Sequence, residues 1–168
     1  MDSREGKMSK KKLPNILIMI ICMLLIGTPV LAGDRFTDNG DDTVTDHQLG
    51  VMWAKTDNQG DINWKQAELW VKYTFPFTIK EKYDNWRLPT LAELQSLYVL
   101  DKKHKEYETD CGQMVKTVSE IKLSCGWVWT SERSAIQAAI FNFNRGYHYM
   151  DRIGHYKSYR ALPVRDLK

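Results

Sequence analysis

The chain has 168 residues, with 24 Lys and Arg against 21 Asp and Glu. Five of those cations and two of those anions fall before residue 33, so residues 33–168 carry 19 of each sign and no net charge. That balance removes the electrostatic case for a nucleic-acid partner, and overall charge gives no reason to expect an anionic membrane surface.

Residues 1–32 have the layout of a secretory signal peptide. Arg4, Lys7, Lys10, Lys11 and Lys12 form a positive start. An apolar run follows from Leu13 to Leu31, interrupted by Pro14, Asn15, Gly27, Thr28 and Pro29. Val30-Leu31-Ala32 offers small or modest side chains where a signal peptidase reads, which places cleavage after Ala32. An uncleaved anchor is the competing possibility, because the run approaches the length of a bilayer span. The Gly-Thr-Pro break favours cleavage, and Ile21 is too bulky before Cys22 for a lipoprotein signal. Residues 33–168 are then a single exported domain, periplasmic or extracellular, touching a membrane only if the leader is retained. A domain of that length buries roughly two-thirds of its unfolded surface. No oligomeric state is indicated.

The first predicted elements are short strands at Arg35-Phe36-Thr37 and Thr43-Val44-Thr45, joined by Asp38-Asn39-Gly40-Asp41-Asp42. Asn-Gly between β-type residues is a hairpin signal. Asp46 to Gly50 reads as a second turn and Val51 to Ala54 as an apolar strand. Asn63 can cap a helix from about Trp64 to Tyr73, with Gln66 completing a capping box and Trp64, Ala67, Val71 and neighbouring Trp70 on one face. Phe75 to Ile79 is apolar but broken by Pro76, a loop or edge strand. Thr90-Leu91-Ala92-Glu93 is a capping box after Pro89, opening a second helix with Leu91, Leu94, Leu97 and Tyr98 as its buried stripe. Asp101 to Asp110 is charged and without period, a solvated loop.

The remainder reads as β-structure. Trp127 to Thr130 is one strand, and Ala138 to Asn144 is a second with alternating faces. Gly146 turns the chain into Tyr147 to Met150, Gly154 turns it again, and Tyr159 to Val164 is the last strand. The fold class is α+β, two early helices and a late antiparallel meander, with no internal repeat. Cys111 and Cys125 are the two cysteines after residue 32. An even count in an exported domain predicts one disulfide, and a loop of about 15 residues would contribute on the order of 3 kcal/mol. The alternative is a thiolate pair on a soft metal, for which nothing nearby supplies further ligands.

Arg35 to Asp41 with Thr43 to Asp46, Leu49 to Lys55, Trp64 to Ala67, Asn85-Trp86-Arg87-Leu88-Pro89-Thr90 with Glu93 to Leu97, Trp127 to Ser131, Phe141 to Gly146 and Arg160 to Arg165 recur together in one bacterial family. The chain resembles the C-terminal domain of the Legionella collagen-like protein (Lcl), the domain of unknown function numbered 1566. The resemblance implies a C-type-lectin-like fold, of the branch that includes formylglycine-generating enzymes, with ligands met by late, variable loops. One branch of that family acts as an adhesin for sulfated glycans. This chain departs from the pattern in three places. Asp42 stands for the second glycine of the first hairpin. Val71 and Pro163 stand where relatives often carry cysteines, with Cys111 and Cys125 as the replacement bridge. The segment from Lys72 to Tyr83 is atypical.

Several groups invite chemistry. Asp38, Asp41, Asp42 and Asp46 suggest calcium, but their spacing lacks the glycine and closing glutamate of an EF-hand, so a polar turn is expected. Asp84-Asn85-Trp86 is similar to a lectin motif but lies in the wrong part of the chain for a lectin calcium site. Arg87 is expected to pair with a carboxylate. His148 and His155 near Asp151 lack a third metal ligand. No metal or cofactor is assigned, calcium being the alternative. No Ser-His or Cys-His arrangement points to a nucleophile. A formylglycine-generating oxidase would need two closely spaced late cysteines. The binding signal is the late run of Tyr147, Tyr149, Tyr156 and Tyr159 with Arg145, Arg152 and Lys157, since sugar faces stack on aromatics and cations bond their polar groups. The site residues expected are Arg145, Tyr147, Tyr149, Arg152, His155 and Tyr156. The function expected is non-enzymatic recognition of a glycan or protein surface; the alternatives are the oxidase or a structural part of an envelope assembly.

Overall fold

A computed structural model describes residues 34–168. The leader, its cleavage after Ala32 and Cys22 lie outside the described residues. Strand β1 (Phe36–Asp38) and strand β2 (Thr43–Asp46) form the expected antiparallel hairpin, Phe36 opposite Asp46. Two residues of its turn are left-handed, Gly40 at φ +75° and Asp42 at φ +68°. The conformation at Asp42 explains a glycine preference there, because an L side chain is strained in that region. Strand β3 (Val51–Ala54) pairs antiparallel with β2. Asp46 is fully buried. Its carboxylate accepts from Arg35 Nη2 at 2.6 Å and from the Gln48 and Leu49 amides. Burial pushes its pKa up, but Arg35 and those amides outweigh it and hold the group below the ordinary range.

Helix α1 (Trp64–Tyr73) buries Trp64, Ala67 and Val71, and Asn63 accepts the Gln66 amide at 3.0 Å. Only this half of the expected capping box forms. Phe75–Phe77 is a 3-10 turn instead of a loop or edge strand; Pro76 fits its start, where a missing N–H costs nothing. Helix α2 (Leu91–Leu97) has the full Thr90–Glu93 capping box. It stops at Leu97; Tyr98 is extended and bridges to Thr117. The Glu93 carboxylate also takes both Arg87 nitrogens, at 2.8 and 2.9 Å, and Arg87 Nη2 reaches Asp166 at 2.8 Å.

The charged loop from Asp101 ends in structure. Strand β4 (Tyr107–Glu108) pairs with strand β5 (Met114–Val115), a ladder too short to show a period. Cys111 and Cys125 are joined, with their Cα atoms 5.3 Å apart, which excludes the thiolate–metal alternative. The bond staples the β4–β5 turn to the segment entering strand β6 (Trp127–Arg133). Strands β6, β7 (Gln137–Asn142) and β8 (Tyr147–Arg152) form the antiparallel meander.

The expected last strand, Tyr159 to Val164, is corrected to two. Strand β9 (Tyr159–Arg160) lies parallel to β6, and strand β10 (Val164–Asp166) crosses to the first sheet and pairs antiparallel with β3. The sheet orders are β1-β2-β3-β10 and β8-β7-β6-β9. Between the two pieces, Ala161 exchanges hydrogen bonds with Asn58, and Pro163, lacking an N–H, offers its carbonyl to the Ala54 amide at 2.9 Å. A single continuous core takes Val44, Trp53, Val71, Leu94, Trp129, Phe141 and Leu162 from both sheets and both helices.

A polar chain, buried at Asp57, Ser124 and Arg160 and ending at exposed Asp61, links remote segments beside this core. Asp57 accepts the Ser124 amide and hydroxyl, both at 2.7 Å, and the Gln59 amide at 2.8 Å. Arg160 Nε donates to Ser124 Oγ at 2.6 Å and Nη1 to Asp61 at 2.7 Å. Burial pushes the Asp57 carboxyl above its usual range despite those donors.

Glu93→Gln is expected to cost about 2 kcal/mol through the lost charge on Arg87. Glu93 and Asp46 titrate below their unfolded values, so their stabilisation is present above the unfolded pKa and lost as pH falls through the folded one. Urea unfolding between about pH 6 and 3 should therefore show a flatter acid decline in Glu93→Gln than in the parent. Asp42→Gly is expected to leave the urea midpoint unchanged or raise stability by up to about 1 kcal/mol, whereas Asp42→Val should lower it by about 1–2 kcal/mol.

Candidate functional site

Strand β8 is the edge of its sheet and pairs with β7 alone. Alternation puts Tyr147, Tyr149 and Asp151 on one face and His148, Met150 and Arg152 on the other. The register makes a row across four strands: Tyr147 opposite Asn142, Asn142 opposite Trp127, and Trp127 opposite Tyr159. The Trp127 ring meets Tyr147 and Tyr149 edge-on, with centroids 5.4 and 5.2 Å apart. Tyr147 is 46% exposed and Tyr149 39%, so a ligand can reach both rings. Tyr159, at the far end of the row, is buried and packs on Trp129 at 4.9 Å.

The polar end of this face is Asp151. It accepts the Tyr159 hydroxyl and pairs with His155 Nδ1 at 2.7 Å, and the Tyr149 and Tyr159 hydroxyls are 3.0 Å apart. Burial acts to raise the Asp151 pKa, but Tyr159, His155 and the Arg152 amide together hold it below the ordinary carboxylate range. Tyr159 is driven far upward by burial and then by Asp151 and Tyr149, so its phenol stays protonated and donates.

The turn before β8 is fixed by Gly146, at φ +73°. A Cβ there would lie 2.6 Å from the Tyr98 ring, so the turn packs on that ring with no room for a side chain. Arg145 is exposed in the turn, its amide donating to Asn142 Oδ1 at 2.7 Å.

The six residues expected from sequence therefore divide. Tyr147, Tyr149 and His155 come together around Trp127, Asp151 and Tyr159. Arg145 stands at the end of the strand, and Arg152 lies on the opposite face. Tyr156 lines an open groove of about 550 Å³ with Gln66, Leu69, Trp70 and Tyr73 of α1. Trp127 was missed as a site residue because its neighbours are set by strand register, which periodicity does not carry.

The acidic turn does not converge on a cation. Asp38 pairs with Lys55, Asp41 takes Thr43 and Tyr83, and Asp46 takes Arg35, while Asp42 is exposed. Among the described residues no group of three or more His, Cys, Asp or Glu is placed to hold a metal ion. A second cavity of about 530 Å³ adjoins Trp70, Phe75 and Asp57, but the Asp57 oxygens are taken up by Ser124 and Gln59. The β8 face thus offers stacking surfaces beside a fixed acceptor and a ring nitrogen, a combination suited to a hydroxylated ring.

A family model for the Lcl C-terminal domain matches residues 42–165. No curated protein matches the chain.

Tyr159→Phe should let burial prevail at Asp151 and move its carboxyl pKa upward, read from the carboxyl carbon shift in an NMR titration. An unmoved pKa would mean that Tyr159 does not hold the carboxylate.

Proposed function

The chain belongs to the Lcl C-terminal domain family, and from that premise we propose that it is an exported, non-enzymatic module that binds a glycan on the Tyr147–Trp127–Tyr149 face of β8. The observation that carries this is the exposure of two tyrosine rings on one tryptophan, with Asp151 held ionised beside them. A sugar ring presents apolar C–H faces to such rings and hydroxyls to the carboxylate and imidazole. The family implies a C-type-lectin-like architecture. Pairing of β10 with β3, which brings the chain's last strand to an early one, and a second sheet built from late strands support it.

Export is favoured by the Cys111–Cys125 bond, which belongs in an oxidising compartment. Among the described residues no helix is long and apolar enough to cross a membrane. The oxidase alternative loses its reactive groups, because both cysteines of the described region are spent on each other.

A glycan array probed with the exported protein and its Tyr147→Ala variant tests the site. About tenfold weaker binding is expected, near the worth of one aromatic contact. Arg152→Ala, on the other face, should bind as the parent does. Equal binding by parent and Tyr147→Ala would remove the face from the site.

A further inference from the structure

Helix α1 has a second, outward row. Lys65, Leu69 and Tyr73 follow one another at intervals of four, away from the buried Trp64, Ala67 and Val71. A 3-10 turn, Phe75–Phe77, follows directly after Thr74. The Phe77 amide donates to the Thr74 carbonyl at 3.0 Å, and both the amide and hydroxyl of Thr78 donate to the Phe75 carbonyl at 2.8 Å. Pro76 fixes the backbone between two phenylalanines of opposite fate: Phe75 is 4% exposed and Phe77 83%. Leu69 is 56% and Tyr73 67% exposed. Phe77 is thus held out into solvent, close in sequence to exposed Leu69 and Tyr73, which also border the groove beside Tyr156.

The surrounding charge is one-sided. Lys65, Lys80 and Lys82 are exposed and form no ion pair among the described residues, while Lys72 is paired with Glu68. Residues 65–82 hold four lysines against Glu68 and Glu81, in a domain that is neutral overall.

We infer that exposed Leu69, Tyr73 and Phe77, with exposed Lys65, Lys80 and Lys82 near them in sequence, dock the protein on an anionic lipid surface. Protruding aromatic and aliphatic tips flanked by lysines are the make-up of an interfacial membrane contact, the rings entering the headgroup boundary and the ammonium groups meeting lipid phosphates. Phe77, 83% exposed, has no walls to enclose a small molecule, and the groove bordered by Leu69 and Tyr73 does not include it. Protein interfaces are depleted in lysine. A two-fold pairing of this surface with a second copy would set lysines against lysines. The inference is independent of the glycan reading, which uses β8.

The test uses the protein in the form the cell exports and vesicles of neutral phosphatidylcholine, with or without anionic phosphatidylglycerol. Sedimentation with the anionic vesicles is expected, weakening at high salt. Phe77→Ala should bind about tenfold more weakly, as should Lys80→Glu with Lys82→Glu, since each lysine near such a surface is worth a several-fold factor. Because Phe77 is exposed, its replacement should leave the thermal unfolding curve unchanged. Phe77→Trp should add an emission component, absent from the parent, that brominated acyl chains quench. A retained leader would hold the protein on either kind of vesicle, and the quenching of Phe77→Trp then decides. No quenching beyond the parent, binding indifferent to lipid charge in a leaderless protein, or a lipid-free dimer abolished by Phe77→Ala would overturn the assignment, the last in favour of a second copy.

Discussion

The polar chain that runs from buried Asp57 through Ser124 and Arg160 out to exposed Asp61 is the contact on which the rest of the domain depends. It joins three segments remote in sequence: the loop after β3, the residue before Cys125, and β9. Burying a carboxylate and a guanidinium is costly unless every polar atom finds a partner, and here the partners come from the other two segments. Arg160 reaches these partners with β9 paired along β6, and the same register sets Tyr159 opposite Trp127. The aromatic face of β8 is thus tied through Tyr159 and β9 to a polar network outside that face.

The tryptophans work similarly on the apolar side. Trp64 Nε1 donates to the Thr130 carbonyl at 2.8 Å and Trp129 Nε1 to the Ile62 carbonyl at 2.9 Å. Both of these rings are buried with the indole N–H satisfied across an interface between elements, so their packing is directional as well as hydrophobic, whereas the fully buried Trp53 packs with its Nε1 unpartnered. The disulfide acts elsewhere. Val71 and Pro163, at positions where relatives often carry cysteines, sit buried in α1 and before β10, while Cys111–Cys125 ties the β4–β5 turn to β6.

Much of this was legible from local chemistry. Thr90 and Glu93 announce α2 because a capping box is a contact between residues three apart, and Asn39-Gly40 announces the first hairpin for the same reason. The meander follows from glycines at turns and alternation between them. What could not be read is set by distance along the chain. The division of Tyr159 to Val164 depends on Asn58 meeting Ala161 and on β3 accepting a fourth neighbour. The separation of Tyr156 from Tyr147 and Tyr149 depends on where a six-residue turn comes to rest against α1. Composition gathered these tyrosines into one cluster, but strand parity and tertiary placement divided them.

Gly146 has a bearing on how such a surface can change over generations. Its contact with the Tyr98 ring forbids any side chain at that one position, while Arg145 and Tyr147 on either side are exposed and carry little of the core. The turn is therefore anchored at its midpoint and permissive at its shoulders. Descendants of this sequence can exchange the shoulder residues without renegotiating the scaffold.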